Sequence, residues 1–187
     1  MRGWSLLAGL VFAANCHRAP EEPVATTSTS TNLPTSAAPA ACPPDPEPKL
    51  APLPVAQVSF PEASQGPAGS GAPPVQLAKV EAELVQNDHD VERGLMYRRS
   101  MPGDHGMLFV LDRRDHTFWM HNTCIPLDML YIDDGVIVGI VENAPPLNDD
   151  VRSVGRQSSW VLELNGGWCK AHGVRTGQKV VLPGAAR

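Results

Sequence analysis

The stretch Phe118-Trp119-Met120-His121-Asn122-Thr123-Cys124-Ile125-Pro126-Leu127-Asp128 places aromatic, thioether, amide, thiol and carboxylate side chains around one proline. A strand with a purely structural role rarely needs that mixture of groups. Residues 117–120 and 127–132 each have the apolar content of a strand, and the polar residues and proline between them predict a bend. Two strands joined by a chemically rich bend are therefore the starting point for the fold.

Short apolar runs separated by turn residues continue on both sides of this stretch. They predict strands at 80–84, 106–111, 136–142, 160–164 and 179–182, with a hairpin turn at Asp133-Asp134-Gly135. Asp88 or Asp90 is a candidate N-cap for a short helix through Met96, and a second short helix runs from Asn165-Gly166-Gly167 to Gly173. About seven closely spaced strands favour a mainly β sandwich or small barrel with one or two short helices.

The composition divides the chain into an N-terminal part without a core and a globular C-terminal part. Fourteen of the 19 prolines lie between Pro20 and Pro74, whereas three of the four tryptophans lie from Trp119 onward. Residues 16–74, rich in Pro, Ala, Ser and Thr, lack apolar periodicity and are predicted to form a disordered tether. Residues 75–187 are predicted to form a single domain. Its 12 Lys/Arg and 15 Asp/Glu give a net charge of −3, which argues against nucleic-acid binding.

The N-terminus predicts export. Residues 1–15 have one positive charge and an apolar run that is too short to cross a bilayer of about 30 Å, as in a secretory signal peptide. The segment Ala13-Ala14-Asn15-Cys16 resembles a bacterial lipoprotein box, which implies lipidation of Cys16, and His17 after it resembles an outer-membrane sorting signal. The alternative is cleavage after Ala13 or Ala14 and release as a soluble exported protein. We expect an envelope lipoprotein facing the periplasm or the cell surface, with the lipid as its membrane anchor.

Several separate blocks of sequence follow one another within residues 80–181 of the predicted domain. They are Glu92-Arg93-Gly94-Leu95-Met96, Gly106-Met107-Leu108-Phe109, Phe118-Trp119-Met120-x-Asn122-Thr123, Ile125-Pro126-Leu127-Asp128, Glu142-Asn143, Val161-Leu162-Glu163-Leu164-Asn165-x-Gly167-Trp168 and Gly173-x-x-x-Gly177. In this order they resemble the family known as domain of unknown function 192. The resemblance implies a compact, mostly β domain of jelly-roll type and no particular activity.

Polar groups near the bend are candidates for a ligand site. Asp128, Asn122 and Thr123 could converge to orient a polar ligand or to serve acid/base chemistry. Alternatively, Asp128 and Thr123 satisfy backbone groups in the bend over residues 122–126. Glu142 ends the neighbouring predicted strand and either faces the same place or is an exposed strand end.

Two further residues complete the candidate site. Arg93 could neutralise Asp128, Glu142 or Glu163 in a structural ion pair, or bind an anionic ligand. Trp119 and Met120 point in opposite directions on a strand, so that one faces the core and the other lines a pocket or groove. We expect Trp119 to be the residue in the core.

Cys124 and Cys169 are the only cysteines in residues 75–187, and in an exported protein they predict a disulfide. Cys42 is then unpaired. A zinc site that adds His121 or His116 is the alternative, but no closely spaced ligand pair supports it. We therefore predict no metal and no cofactor.

Three functions remain open. The first is an envelope domain that binds a small molecule or an envelope protein. The second is an envelope enzyme with Asp128 or Glu142 as acid/base and with Asn122 and Arg93 positioning the substrate. The third is an accessory module without a ligand. No G-x-S-x-G, H-E-x-x-H or phosphate-binding glycine loop is present to select among them.

Overall fold

The computed structural model of this 187-residue chain describes residues 41–48, 50–61 and 78–184. Those residues form a mainly β domain with two short helices, as the sequence predicted. The elements are β1 Val55–Phe60, β2 Ala78–Val85, α1 Asp88–Arg93, β3 His105–Asp115, β4 Phe118–Met120, β5 Leu127–Asp133, β6 Val136–Ala144, β7 Asn148–Arg152, β8 Gln157–Asn165 and α2 Trp168–His172.

A six-stranded sheet in the order β1-β2-β3-β8-β5-β6 is the centre of the fold, and β4 pairs with β7 in a separate two-stranded sheet. All neighbours are antiparallel except β2 and β3, which run parallel and are joined through α1. The predicted β5–β6 hairpin is confirmed, with Asp134 and Gly135 at φ 46° and 70° as a two-residue turn between right-twisted strands requires. In the register of β8, Glu163 lies between Met107 of β3 and Met129 of β5.

Both faces of the large sheet are buried. One face packs against α2 and the C-terminal segment around Leu130, Leu162 and Leu164, and we call this the α2-side cluster. The other face packs beneath β4 and the residues after α1, around Leu95, Phe109 and Val161, and we call this the β4-side cluster. Strand β5 is consequently buried at every one of its seven positions. Burial on both sides explains why its sequence is a nearly continuous apolar run rather than an alternating one.

Both helices begin and end at local signals. The side-chain oxygen of Asn87 accepts a hydrogen bond from the Asp90 N–H at 2.9 Å, so that Asn87, rather than the predicted Asp88 or Asp90, is the N-cap of α1. Gly94 ends α1 at φ 49°, and a Cβ there would lie 3.3 Å from the Phe109 ring. Helix α2 ends at Gly173 in the left-handed conformation, as predicted.

The strand predictions were wrong at three places. Strand β1 lies within the predicted tether of residues 16–74, where flanking prolines hide a short alternating strand that directs Val58 and Phe60 into the core. Strand β7 was not predicted, because its polar sequence carries no apolar alternation. Residues 179–182 form isolated bridges rather than a strand.

These differences change the domain boundary. The domain includes residues 41–48 and 50–61, so its predicted start at residue 75 was wrong. The predicted signal peptide of residues 1–15, the lipidation site Cys16 and the rest of the tether lie outside the described residues and remain predictions.

A disulfide is present, but it joins Cys42 to Cys124 rather than Cys124 to Cys169. Cys169 is a free thiol, fully buried in the α2-side cluster. The prediction failed because Cys42 was assigned to the tether and was therefore left out of the pairing. A crosslink between residues 82 apart restricts the unfolded chain and contributes roughly 4 to 5 kcal/mol in the chain-entropy model.

Candidate functional site

Glu163 is a buried carboxyl in the middle of the large sheet. Its neighbours Leu162 and Leu164 face the α2-side cluster, so the alternation of β8 turns Glu163 towards the β4-side cluster. Only 4% of Glu163 is exposed, and no hydrogen bond or ion pair engages its carboxyl within the described part of the chain. An ionisable group without a partner in such a place is unusual in a folded protein.

A cavity of about 220 Å³ opens between α1, β3, β4 and the side chain of Glu163, and we call it the Glu163 pocket. About half of its lining residues are apolar or aromatic, and besides Glu163 the buried polar residues of the lining are Thr123 and His116. The apolar lining residues are Val91, Leu95, Met96, Phe109, Leu111, Phe118 and Trp119. The remaining polar ones are Glu92, Arg93, Arg114 and Thr117.

Edge-to-face aromatic packing shapes the wall beside Glu163. Phe118 meets Phe109 at a ring-centroid distance of 5.1 Å and Tyr131 at 6.0 Å, with interplanar angles of 80° and 89°. Such pairs stabilise one another beyond their simple burial, by about 0.5 to 1.5 kcal/mol each. The wall is therefore a packed structure that does not depend on a ligand for its shape.

Burial raises the pKa of Glu163 to about 8. The carboxyl is then mostly protonated at pH 7, although the same group in the unfolded chain would be ionised. Because the folded pKa exceeds the unfolded value of 4.5, the stability contributed by this group is fully present below about pH 4.5 and is lost as the pH rises through 8. Retaining Glu163 therefore costs stability at neutral pH.

Trp119 lies at this pocket and not in the core, so the expectation for this residue was wrong. It is 45% exposed, whereas Met120 is fully buried. The alternation along β4 is as predicted, but Phe118 and Met120 are the two residues that enter the β4-side cluster. The Trp119 ring stacks on His121 at a centroid distance of 4.8 Å, which orients it beside the opening.

Asn122 and Thr123 hold the bend next to the pocket. Asn122 has φ 52°, its side-chain amide donates to the Tyr97 hydroxyl at 2.9 Å, and its carbonyl accepts from the Tyr97 N–H at 2.8 Å. Tyr97 is itself at φ 65°, a strained conformation for a bulky residue. The Thr123 hydroxyl donates to the His121 carbonyl at 3.3 Å. These contacts fix the loops on either side of the pocket, and of the two residues only Thr123 reaches its lining.

Asp128 is fully buried but is not a lining residue of the pocket. One carboxylate oxygen accepts from the N–H groups of Asn143 at 2.7 Å and Gly167 at 2.9 Å, and the other accepts from the Cys169 N–H at 2.7 Å. We call this group of bonds the Asp128 clamp. It satisfies backbone groups, as the structural alternative proposed, although not those of the bend over residues 122–126. Its hydrogen-bonding capacity is committed to structure, which counts against an acid/base role.

The positions of Glu142 and Arg93 are also explained by the structure without a ligand. Glu142 is exposed at its strand end, as the structural alternative proposed. Arg93 reaches none of its predicted partners and instead donates to both oxygens of Asp45 at 2.6 and 2.7 Å, with its guanidinium over the Tyr97 ring. This bond lowers the pKa of Asp45. The sequence reasoning missed the pair because Asp45 lay in the predicted tether.

A larger cavity, about 770 Å³, lies between residues 45–48 and 50–55 and the elements β2, α1 and β3. Its two arginines are already paired, Arg93 with Asp45 and Arg98 with both oxygens of Glu83 at 2.6 and 2.5 Å. Paired charges of this kind need no ligand. The smaller Glu163 pocket is therefore the better candidate site.

The residues of the predicted zinc alternative have other partners. Cys124 is in the disulfide, His116 donates from Nε2 to the Asp112 carbonyl at 2.7 Å, and His121 bonds Asp149 at 2.8 Å. Across the described ranges, no three His, Cys, Asp or Glu side chains are arranged to hold a metal ion. None of the helices in those ranges is long and apolar enough to span a membrane.

Sequence reasoning named Glu163 only as a possible partner of Arg93. The available signal was a glutamate at the centre of the apolar run Trp160-Val161-Leu162-Glu163-Leu164. From the alternation alone, such a residue is expected to face solvent on a half-buried strand. Only the covering of both sheet faces turns it into a buried group.

Comparisons with known proteins place the domain in a family. The model of the family DUF192, described as uncharacterised ACR, matches residues 73–182. A crystal structure of a "putative transcription regulator" from Sinorhizobium meliloti 1021 is similar at 36% identity and a TM-score of 0.63, over 71% of this chain and 97% of that one. A protein of unknown function from Novosphingobium aromaticivorans DSM 12444 is similar at 28% identity and a TM-score of 0.62, over 79% and 98%. No curated protein shows a significant match.

The Asp128 clamp predicts a large and specific loss of stability. Asp128→Asn should lower the free energy of unfolding by about 3 kcal/mol, because the amide removes the charge and directs an NH₂ group at backbone N–H donors. Urea denaturation followed by circular dichroism measures the loss. Asp134→Asn, the same change at an exposed turn residue in the left-handed conformation, should change stability by less than about 0.5 kcal/mol. Equal effects of the two substitutions would contradict the clamp.

Proposed function

We propose that this chain, which belongs to the DUF192 family of uncharacterised proteins, is an exported envelope protein whose β domain binds a small ligand in the Glu163 pocket. One observation carries the proposal, the buried carboxyl of Glu163, which faces a cavity and has no partner among the described residues. Burying a polar group without a partner costs free energy. A ligand that pairs with the carboxyl offsets this cost, which gives a physical reason for a glutamate at a core position.

The size and walls of the pocket suit a small, partly apolar molecule. A cavity of about 220 Å³ is smaller than the roughly 300 to 1,000 Å³ of sites that hold drug-sized ligands. Its aromatic side chains and its small set of buried polar groups, Glu163, Thr123 and His116, fit the general pattern of a ligand site, in which a few polar groups orient the ligand against an apolar wall. Trp119 at the opening would cover the ligand on the solvent side.

Export and lipid anchoring form the second part of the proposal. The Cys42–Cys124 disulfide supports an oxidising compartment outside the cytoplasm. The lipoprotein-like segment ending at Cys16 then supplies an anchor, and the remaining Pro-rich residues between Cys16 and the domain supply a spacer from an outer membrane. Envelope proteins are further candidate partners. The net charge of −3 over residues 75–187 gives no support to nucleic acid as a partner, although one similar protein is described as a regulator of transcription.

An envelope enzyme is the second candidate function, now with Glu163 in place of Asp128 or Glu142. The specific observation is a carboxyl whose pKa is raised to about 8 in a concave site, the range in which a general acid or base works at neutral pH. Conversion of a bound compound that stops in Glu163→Gln would favour this function over simple binding. The third reading, an accessory module without a ligand, predicts that no compound occupies the pocket.

A screen of small water-soluble fragments tests the binding proposal. Fragments of mixed charge should include compounds that raise the melting temperature of the full-length protein and change its tryptophan fluorescence. The effect should be lost in Glu163→Gln and weakened in Trp119→Leu, because one substitution changes the deep polar group and the other removes the aromatic cover.

Glu142→Gln is the matched control for the screen, since it makes the same chemical change at an exposed glutamate outside the pocket lining. It should leave the response to each fragment unchanged. The binding proposal fails if no fragment acts on the wild type, or if Glu142→Gln and Glu163→Gln alter the responses equally.

Cys16→Ser tests the anchor. The substitution removes the thiol that would carry the lipid, so the protein should move from the membrane fraction to the soluble fraction of a bacterial host. Radioactive palmitate supplied during growth should label the wild type and not the variant. Cys42→Ser is the matched control for labelling: it removes a different thiol, one that forms the disulfide with Cys124, and should leave the palmitate label in place. Unlabelled wild-type protein in the soluble fraction would contradict lipid anchoring.

A further inference from the structure

We infer that the ligand of the Glu163 pocket is a small organic cation, an ammonium group on an apolar body. The inference rests on the proposed binding function of the pocket and specifies the chemistry of its ligand. It follows from how exposed each charged lining group is and from the aromatic and apolar side chains in the walls.

Glu163 is the least exposed of the ionisable groups that line the pocket. It is 4% exposed, whereas Glu92 and Arg114 are exposed and can be solvated at the opening. Arg93 also lines the pocket, but its guanidinium is already bonded to both oxygens of Asp45. A ligand group that reaches the bottom therefore meets a carboxyl without a protein cation beside it. A cation is the complement that such a group lacks.

The walls near Glu163 favour a cation over a neutral donor. Phe109, Phe118 and Trp119 line the pocket, and the faces of aromatic rings attract ammonium groups, most strongly for tryptophan. Recognition of organic ammonium ions by aromatic side chains is a general mode of binding. The apolar residues Val91, Leu95 and Leu111 leave the ammonium group few competing hydrogen-bond acceptors and suit an apolar ligand body.

Three neighbouring elements bring ionisable groups close to Glu163. Helix α1 contributes Glu92 and the paired Arg93, the end of β3 and the turn after it contribute Arg114 and His116, and β5 contributes Tyr131. Burial, followed by the charge of Glu163, raises the pKa of Tyr131, so the phenol stays neutral. Arg114 is the one unpaired cation of the described lining, and its exposure allows water and salt to screen it.

The inference gives binding a characteristic dependence on pH. An ammonium ligand needs the ionised form of Glu163, and burial holds the pKa of this carboxyl at about 8 in the empty pocket. Affinity should therefore rise about tenfold from pH 6 to pH 7 and about fivefold from pH 7 to pH 8, and then level off above pH 8. A ligand that accepts a hydrogen bond from the protonated carboxyl would show the opposite trend.

Three probes of similar size and different charge test the inference: benzylammonium, benzyl alcohol and benzoate. Isothermal titration calorimetry with the full-length protein at pH 6, 7 and 8 gives each dissociation constant. We expect benzylammonium to bind at least tenfold more tightly than the other two at pH 8, and its affinity to fall about 50-fold between pH 8 and pH 6. Glu163→Gln should abolish both the preference and the pH dependence, whereas the control Glu142→Gln, at an exposed glutamate outside the pocket lining, should change the dissociation constant less than threefold.

Near-ultraviolet circular dichroism checks that Glu163→Gln is folded, and Trp119→Leu provides a second variant at an exposed position. It should weaken the binding of benzylammonium severalfold and leave its pH dependence intact.

If benzyl alcohol or benzoate binds best, with an affinity that needs Glu163, the ligand class is wrong while the binding function stands. If none of the three probes binds and the fragment screen also gives no hits, both are wrong. If none of the three probes binds but the fragment screen gives hits, the inference about the ligand class is wrong and the binding function stands.

Discussion

The Asp128 carboxylate is the interaction on which the geometry of the site depends. It holds backbone N–H groups from the end of β6 and from both sides of the start of α2, which lie far apart in sequence. The backbone at Gly166 packs closely against Asn143: a Cβ at position 166 would lie 2.5 Å from the Asn143 side-chain oxygen. These bonds thereby fix the position of the connection between β8 and α2 relative to β5. A shift of β8 by one residue would turn Glu163 to the opposite face of the sheet.

Once that register is fixed, burial of both sheet faces determines the environment of Glu163. The strand has β3 and β5 on its two sides, and the β4-side cluster covers the face to which the carboxyl points. An apolar side chain would fill this place at lower free energy. Positions where a sequence departs from what packing favours are often functional. The departure at Glu163 coincides with the Glu163 pocket, which is why we assign function to it rather than to the polar bend.

The sequence predicted the elements whose signals are local. The Asp134-Gly135 hairpin and the end of α2 at Gly173 depend on backbone conformations that few residues adopt, and both are confirmed. The disulfide pairing and the direction of Trp119 depend on which segments cover the sheet, and both predictions were wrong. Arg93, Asn122 and Asp128 were recognised as unusual, but their partners come from distant parts of the chain. Glu163 became a candidate only when its surroundings were known.

The ionisation of Glu163 tests the central claim most directly. The ¹³C chemical shift of its side-chain carboxyl, assigned with Glu163→Gln and followed from pH 3 to 10 in the ligand-free full-length protein, gives the pKa of this group alone. Our account predicts a pKa near 8, as expected for a carboxyl enclosed by apolar walls without a cationic partner. A pKa near the ordinary 4.5 would show a solvated or paired carboxylate and would contradict the assignment of the pocket as the functional site.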